Sequence, residues 1–250
     1  MARMTRRFFL VCSAAIPVGC AIDHGGSAAP SPTVREPLVG QSWRYAKHDF
    51  FTKAQVDTQD DEVTSVDHTV EITSRTESET PDARTSNGGL TWLRKYFSRP
   101  HVGKRLPSEL QDPWGKVVVD PHWGQVQVYD TPIPLWPARL QPGWYARINV
   151  KYKTSDEAGL PWDQTMKADR WETVTVPAGQ FRALRYTNVI NFTSSDLSRA
   201  NSIRRETVWL APEVGRWIAR ESTGTYYLDE STADDRNNES SYRWELLSWS

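Results

Sequence analysis

From Gln41 to Ser250 apolar and polar residues alternate with a period of two, interrupted by short Pro- and Gly-bearing breaks. That is the pattern of strands with one buried and one wet face. It is cleanest in Trp144–Tyr152, where Trp144, Ala146, Ile148, Val150 and Tyr152 alternate with Tyr145, Arg147, Asn149 and Lys151. Two hairpins follow. Their turns are Val176-Pro177-Ala178-Gly179 and Pro212-Glu213-Val214-Gly215, where Pro presets φ and Gly supplies a left-handed residue. Strands are also expected at Gln41–Phe50, at Asp61–Thr76, at Leu90–Ser98 and at Ser241–Trp249. In Asp61–Thr76, Val63 is out of phase with Val66, Val70 and Ile72, which a β-bulge absorbs.

The middle of the chain is less regular. Lys116–Asp120 and Gln125–Asp130 flank a turn at Asp120-Pro121-His122-Trp123-Gly124 and form a short hairpin. Thr131–Gly143 holds four prolines and reads as a stiff extended crossing rather than a central strand. Ser108–Gln111 can form one helical turn, and no longer helix is indicated. Glu77–Gly89 reads as a polar loop, Thr193–Ser202 as a polar connector, and Thr223–Ser241 ends in a very polar loop. The expected fold is all-β: a strongly curved antiparallel sheet of roughly ten strands, a half-barrel or barrel-like meander.

The chain begins differently. Arg3, Arg6 and Arg7 precede the apolar run Phe8–Val18, the layout of an export signal too short to span a bilayer. Arg6 and Arg7, followed by Phe8, Phe9 and Leu10, resemble the twin-arginine signal, although paired arginines also occur in general secretory leaders. Ile16-Pro17-Val18-Gly19-Cys20 resembles a bacterial lipobox, with Pro17 where leucine is usual. That resemblance implies acylation of Cys20, and acyl chains at about 0.8 kcal/mol per buried CH₂ give a stable anchor. With Ala21 after the cysteine, it further implies the periplasmic side of the outer membrane. Residues 1–19 are thus read as a signal peptide, 20–40 as a flexible Pro- and Ser-bearing tether, and 41–250 as one β domain.

Composition narrows the partners. Setting aside the three leader arginines, the 30 basic residues fall to 27 against 31 acidic ones, a net of −4. Phosphate binding needs a basic surface, so nucleic acid is not an expected partner. Both cysteines, Cys12 and Cys20, precede the domain, which leaves it without disulfides or thiolate metal sites.

Three sequence blocks resemble a class of uncharacterised bacterial envelope proteins. They are Gly40-x-x-Trp43-x-Tyr45, Val174-x-Val176-Pro177-Ala178-Gly179-x-Phe181-x-Ala183-Leu184, and Trp209-x-Ala211-Pro212-x-Val214-Gly215 closed by Arg220-Glu221. The resemblance implies a curved sheet similar in outline to the half-barrel of LolA/LolB-type lipoprotein carriers. It covers about the last 110 residues well, consists of turn and core positions, and brings no catalytic residues with it.

Catalytic signatures are missing. The chain has no nucleophile elbow, zinc-protease helix motif, Cys-x-x-Cys or phosphate-binding loop, so no catalytic residue, metal or cofactor is expected. Asp120-Pro121-His122 is the one tight Asp/His pair and reads as a hairpin tip. The Asp60-Asp61-Glu62 and Asp234-Asp235 clusters read as solvated loop charge. Tryptophan is the sharper signal, with 12 in the chain. Most sit on strands as core, but Trp114, Trp123 and Trp136 lie in Pro- and Gly-rich stretches and are the candidate ligand-binding residues. The expectation is a membrane-anchored protein that is not an enzyme and binds an apolar ligand or an envelope protein. Alternatives are a glycan- or peptidoglycan-binding module and a non-catalytic assembly subunit.

Overall fold

The computed structural model describes residues 32–78, 104–123, 125–196, 198–228 and 236–250. Arg6, Arg7, Cys20 and the expected strand Leu90–Ser98 lie outside the described residues.

The fourteen described strands are all antiparallel to their neighbours. In chain order they are β1 (Ser42–Asp49), β2 (Gln55–Val66), β3 (Val70–Ser78), β4 (Lys104–Arg105), β5 (Glu109–Gln111), β6 (Lys116–Trp123) and β7 (Gln125–Pro134). β8 (Tyr145–Lys153), β9 (Leu160–Val176), β10 (Gly179–Phe192), β11 (Arg199–Ala211), β12 (Arg216–Leu228), β13 (Arg236–Asn238) and β14 (Tyr242–Trp249) complete them. The spatial order is β11-β10-β9-β8-β7-β6-β5-β3-β2-β1-β14-β12, and β12 pairs back onto β11. Twelve strands therefore close a barrel, with β4 attached to β3 and β13 to β12.

The all-β, antiparallel expectation holds. Of the two expected forms, a half-barrel or a barrel-like meander of roughly ten strands, the half-barrel and the count are corrected: the ring is closed and has more strands. The undercount has local causes. Asp61–Thr76 is not one strand but parts of β2 and β3, turning at Asp67–Thr69, with the bulge between Val63 and Ser65. Glu109–Gln111 is extended, not helical, because it bridges β3 and β6. β7 runs on through Pro132 and Pro134, and β13 lies within the polar end of Thr223–Ser241.

The outer wall meets water. β8 presents Arg147, Asn149, Lys151 and Lys153 outward, and Lys167 on β9 is also exposed. A lipid-facing band of a membrane barrel excludes such charges at mid-height. A ring of twelve is also wider than the eight strands whose side chains just fill a barrel. Large side chains occupy the extra width. One cluster gathers Trp43, Tyr45, Val63, Ile72, Val214, Ile218 and Leu246. A second gathers Tyr129, Tyr152, Trp162 and Phe192, and a third Met166, Leu184, Tyr186 and Leu210.

The opening turn of β12 anchors the first cluster. Trp43 Nε1 and Gln41 Nε2 both donate to the Val214 carbonyl, at 3.0 and 3.3 Å, while Tyr45 stacks on Trp217 at 3.8 Å. Gly215 is required there on two counts. Its φ is +77°, and a Cβ would meet the Arg35 carbonyl and Gln41 at 3.2 Å. The stretch read as the end of the tether packs against this turn: Arg35 N–H donates to Pro212 O at 2.8 Å, and Val34 joins the third cluster. The β9–β10 tip reaches β14, where Ala178 N–H donates to Leu246 O.

Candidate functional site

The period of two aims side chains inward from every strand, and several of the inward residues are charged. On β2, Gln59 and Asp61 share a face with Val63; on β11, Arg204 and Glu206 share one with Val208 and Leu210. Asp61, read from the sequence as solvated, is fully buried. The reason is a cation across the lumen. Arg216 at the start of β12 places Nη2 2.9 Å from Glu109 Oε2 and 3.3 Å from Asp61 Oδ2. Burial opposes the charge on Arg216, but these two carboxylates outweigh it and raise its pKa.

From Asp61 the polar chain runs on. Ser74 Oγ donates to Asp61 Oδ1 at 2.7 Å and lies 3.2 Å from His122 Nε2. His122 Nδ1 lies 2.8 Å from Asp120 Oδ1, and Trp123 Nε1 donates to Asp120 Oδ2 at 2.6 Å. The bonding pattern bears on the protonation of His122. With the Ser74 hydrogen on Asp61, its oxygen is free to accept from Nε2–H, while the carboxylate of Asp120 accepts from Nδ1–H, so these contacts favour the imidazolium form. Burial pulls the His122 pKa down; the hydrogen bond and charge of Asp120, then the charges of Glu109 and Asp61, more than reverse this. In the same way burial would raise Asp120, but the hydrogen bonds and charge of His122 hold it at about 2. The residues read as a hairpin tip are therefore part of the lumen network.

Trp123 continues the chain through its ring. Arg204 lies over it at 3.8 Å and Arg220 at 4.8 Å. Arg220 bonds Glu206, which accepts from Asn188 Nδ2 at 3.1 Å, and Gln164 joins Asn188 to Trp162. Lys47 enters from β1, with Nζ 3.8 Å from the centre of the Tyr242 ring. Burial lowers its pKa, Asp57 resists this and Arg220 adds to it.

Between these groups remains a cavity of about 290 Å³, near the lower end of the roughly 300–1,000 Å³ typical of small-molecule sites. Trp123, Tyr129, Trp162 and Trp244 give it aromatic wall; Lys47, Glu206, Arg216 and Arg220 give it charge. Arg216 Nε and Arg220 Nε are buried and meet no acceptor among the described residues. Unspent donors of this kind are costly unless something accepts from them.

The three candidate tryptophans separate. Trp123 and Trp136 both border the cavity. Trp114 does not: it packs behind Trp136, edge to face at 5.3 Å, and its Nε1 donates to Arg35 O at 3.1 Å. Trp136 sits directly over Gly115, where a Cβ would come within 2.4 Å of the indole. The principal lumen groups, Arg216, Arg220, Glu109, Asp61 and Glu206, were missed by the sequence reading. Their signal was available as charge in phase with apolar residues on one strand, as in Arg204-x-Glu206-x-Val208-x-Leu210. Among the described residues no group of three or more His, Cys, Asp or Glu is placed to hold a metal ion.

No family model and no curated relative matches the chain. Two solved structures are similar over most of its length. A predicted lipoprotein of Parabacteroides distasonis aligns with a TM-score of 0.48 at 12% identity, covering 89% of this chain and 100% of that one. A predicted exported protein of Bacteroides fragilis, described as having a YmcC-like fold, gives 0.40 at 10% identity, covering 88% and 99%. Likeness this remote carries no functional argument.

Proposed function

We propose that this protein is a lipid-anchored bacterial envelope protein whose barrel lumen binds one small amphipathic ligand and performs no chemistry on it. The observation that carries the reading is the lumen cavity, where an aromatic wall adjoins the charged side chains of Lys47, Glu206, Arg216 and Arg220. An apolar body fits against Trp123, Tyr129, Trp162 and Trp244, and an anionic or accepting oxygen on the ligand suits the cationic side chains of Lys47, Arg216 and Arg220 on the same wall. The wholly apolar cargo suggested by the carrier resemblance fits less well, because it would bring no polar group to the charged side chains that line the cavity. Anchoring rests on the leader residues and Cys20.

Two measurements test the halves separately. Native mass spectrometry of the full chain, extracted gently from envelopes, should show a small adduct that denaturation releases and that Arg220→Met or Trp123→Ala weakens. A folded protein that always carries its own mass alone would refute lumen binding. Cys20→Ser should move the protein from the membrane fraction to the soluble fraction, and unchanged fractionation would refute the anchor.

A further inference from the structure

Among the described residues, one gap in the barrel wall lies between β7 and β8. β7 and β8 pair only at Val128–Lys153 and Tyr129–Tyr152. Below these pairs the two strands part, and among the described residues Tyr145–Lys151 of β8 has ladder partners on β9 alone. The direction of the free groups follows from alternation. Trp144 O accepts from Ala168 N–H on the β9 side, whereas Lys151 N–H turns the other way and donates to Asp130 Oδ1 at 3.0 Å. In an antiparallel ladder successive residues bond to opposite sides, so Tyr145, Arg147 and Asn149 share the orientation of Lys151. Their N–H and C=O groups point into the seam, and their N–H groups have no bonded partner among the described residues.

The two edges of the seam differ. Pro132 and Pro134 blunt β7, the usual protection of an edge strand. The β8 edge carries no proline, glycine or bulge and alternates half-buried Ala146, Ile148 and Val150 with exposed Tyr145, Arg147, Asn149 and Lys151. Its charge is one-sided, with Arg147, Lys151 and Lys153 all facing outward. Asp163 pairs with Arg147 and leaves the two lysines.

We infer that the β8 edge is a docking site for an extended segment of a partner protein, one that alternates acidic and apolar residues and adds as a strand. This goes beyond the lumen reading and does not depend on it. Backbone bonds to Tyr145, Arg147 and Asn149 supply affinity, while alternate side chains meet the cations outside and the apolar row inside. Charge complementarity selects the occupant. A second copy pairing antiparallel about Asn149 would set Arg147 directly opposite Lys151 and Tyr145 opposite Lys153, and like charges placed opposite one another repel.

The test uses the full chain and a short synthetic peptide of repeated Glu-Val, followed by amide hydrogen exchange and fluorescence anisotropy. Expected results are binding, slowed exchange at Tyr145, Arg147 and Asn149, and no binding of a Lys-Val peptide. Asn149→Pro removes an N–H that β9 does not use and should weaken binding about tenfold. The Lys151→Glu, Lys153→Glu pair, which leaves the backbone alone, should reverse the preference toward the Lys-Val peptide. Three outcomes overturn the inference: no protection of those amides, equal binding of both peptides, or a dimer in sedimentation that Asn149→Pro dissociates.

Discussion

One side of the barrel is built from long hairpins; the other is assembled from short pieces. Along β9–β10 every residue from Gly179 to Phe192 has a partner, and β10–β11 and β11–β12 are nearly as complete. On the opposite wall, β5 is three residues long, β5–β6 share two residue pairs, and β7–β8 share two. The first wall is held by its ladders. The second is held largely by what crosses the lumen to it: Arg216 reaches Glu109 and Asp61 from β12, and Tyr186 bonds Leu135 from β10. Regular pairing and lumen chemistry thus divide the work of closing the ring.

The sharpest way to break this division is at Arg216. Arg216→Met leaves Glu109 and Asp61 buried without their cation, which should cost about 3–5 kcal/mol in urea-induced unfolding. The loss should fall unevenly. Exchange should accelerate most in β2, β5 and β6, and least in β9 and β10. Adding Glu109→Gln to Arg216→Met should recover part of the stability, since one uncompensated charge is removed. Uniform acceleration around the ring would show that the short-strand wall does not depend on the lumen.

The same division explains what the sequence disclosed. Local rules govern the hairpin wall: Pro177 with Gly179, Pro212 with Gly215, and strict alternation between them. These were legible, and so was Val63 as a bulge. The short-strand wall obeys no local rule. Glu109–Gln111 is extended only because β3 and β6 lie on either side of it, and closure of the ring requires β12 to meet β11 as well as β14. The lumen was hidden for a related reason. Asp61 and Glu109 are distant in sequence from Arg216, and a carboxylate is read as solvated until its cation is in view. Trp123 was singled out as a loop aromatic, yet its neighbours Arg204 and Arg220 come from the other wall.

A pH titration gives the next largest effect, and two of its contributors, His122 and Asp120, sit in the short-strand wall. His122 has a folded pKa raised above its ordinary value of 6.5. Its contribution is therefore fully present below that value and is lost as pH rises through the raised one. Asp120 has the opposite sign. It is lowered from 3.8 to about 2, so its contribution is present above 3.8 and lost as pH falls toward 2. Unfolding free energy measured against pH should decline on the alkaline side with His122 as the cause, and His122→Gln should flatten that limb. An unchanged limb in the variant would assign the alkaline loss elsewhere. Exchange followed by pH should show β3 and β6 loosening first, because Ser74 and Asp120 lose the imidazolium that joins them.

The smallest effect is at the seam, and it separates local from global holding. Tyr152 is buried beside Tyr129 at one of the two β7–β8 pairs, and its hydroxyl donates to Thr193 O at 2.6 Å. Tyr152→Phe keeps the ring against Trp162 and deletes only that bond, which should cost about 1 kcal/mol. With so few ladder bonds beside it, the seam has little else to resist opening. The loss should therefore appear as faster exchange at Val128, Tyr129 and Lys153, with β10 and β11 unchanged, even though the acceptor Thr193 follows directly on β10. Were β10 to loosen equally, the seam would be coupled to the hairpin wall through Thr193, and the two walls would behave as one cooperative unit rather than as a strong half closing a weak one.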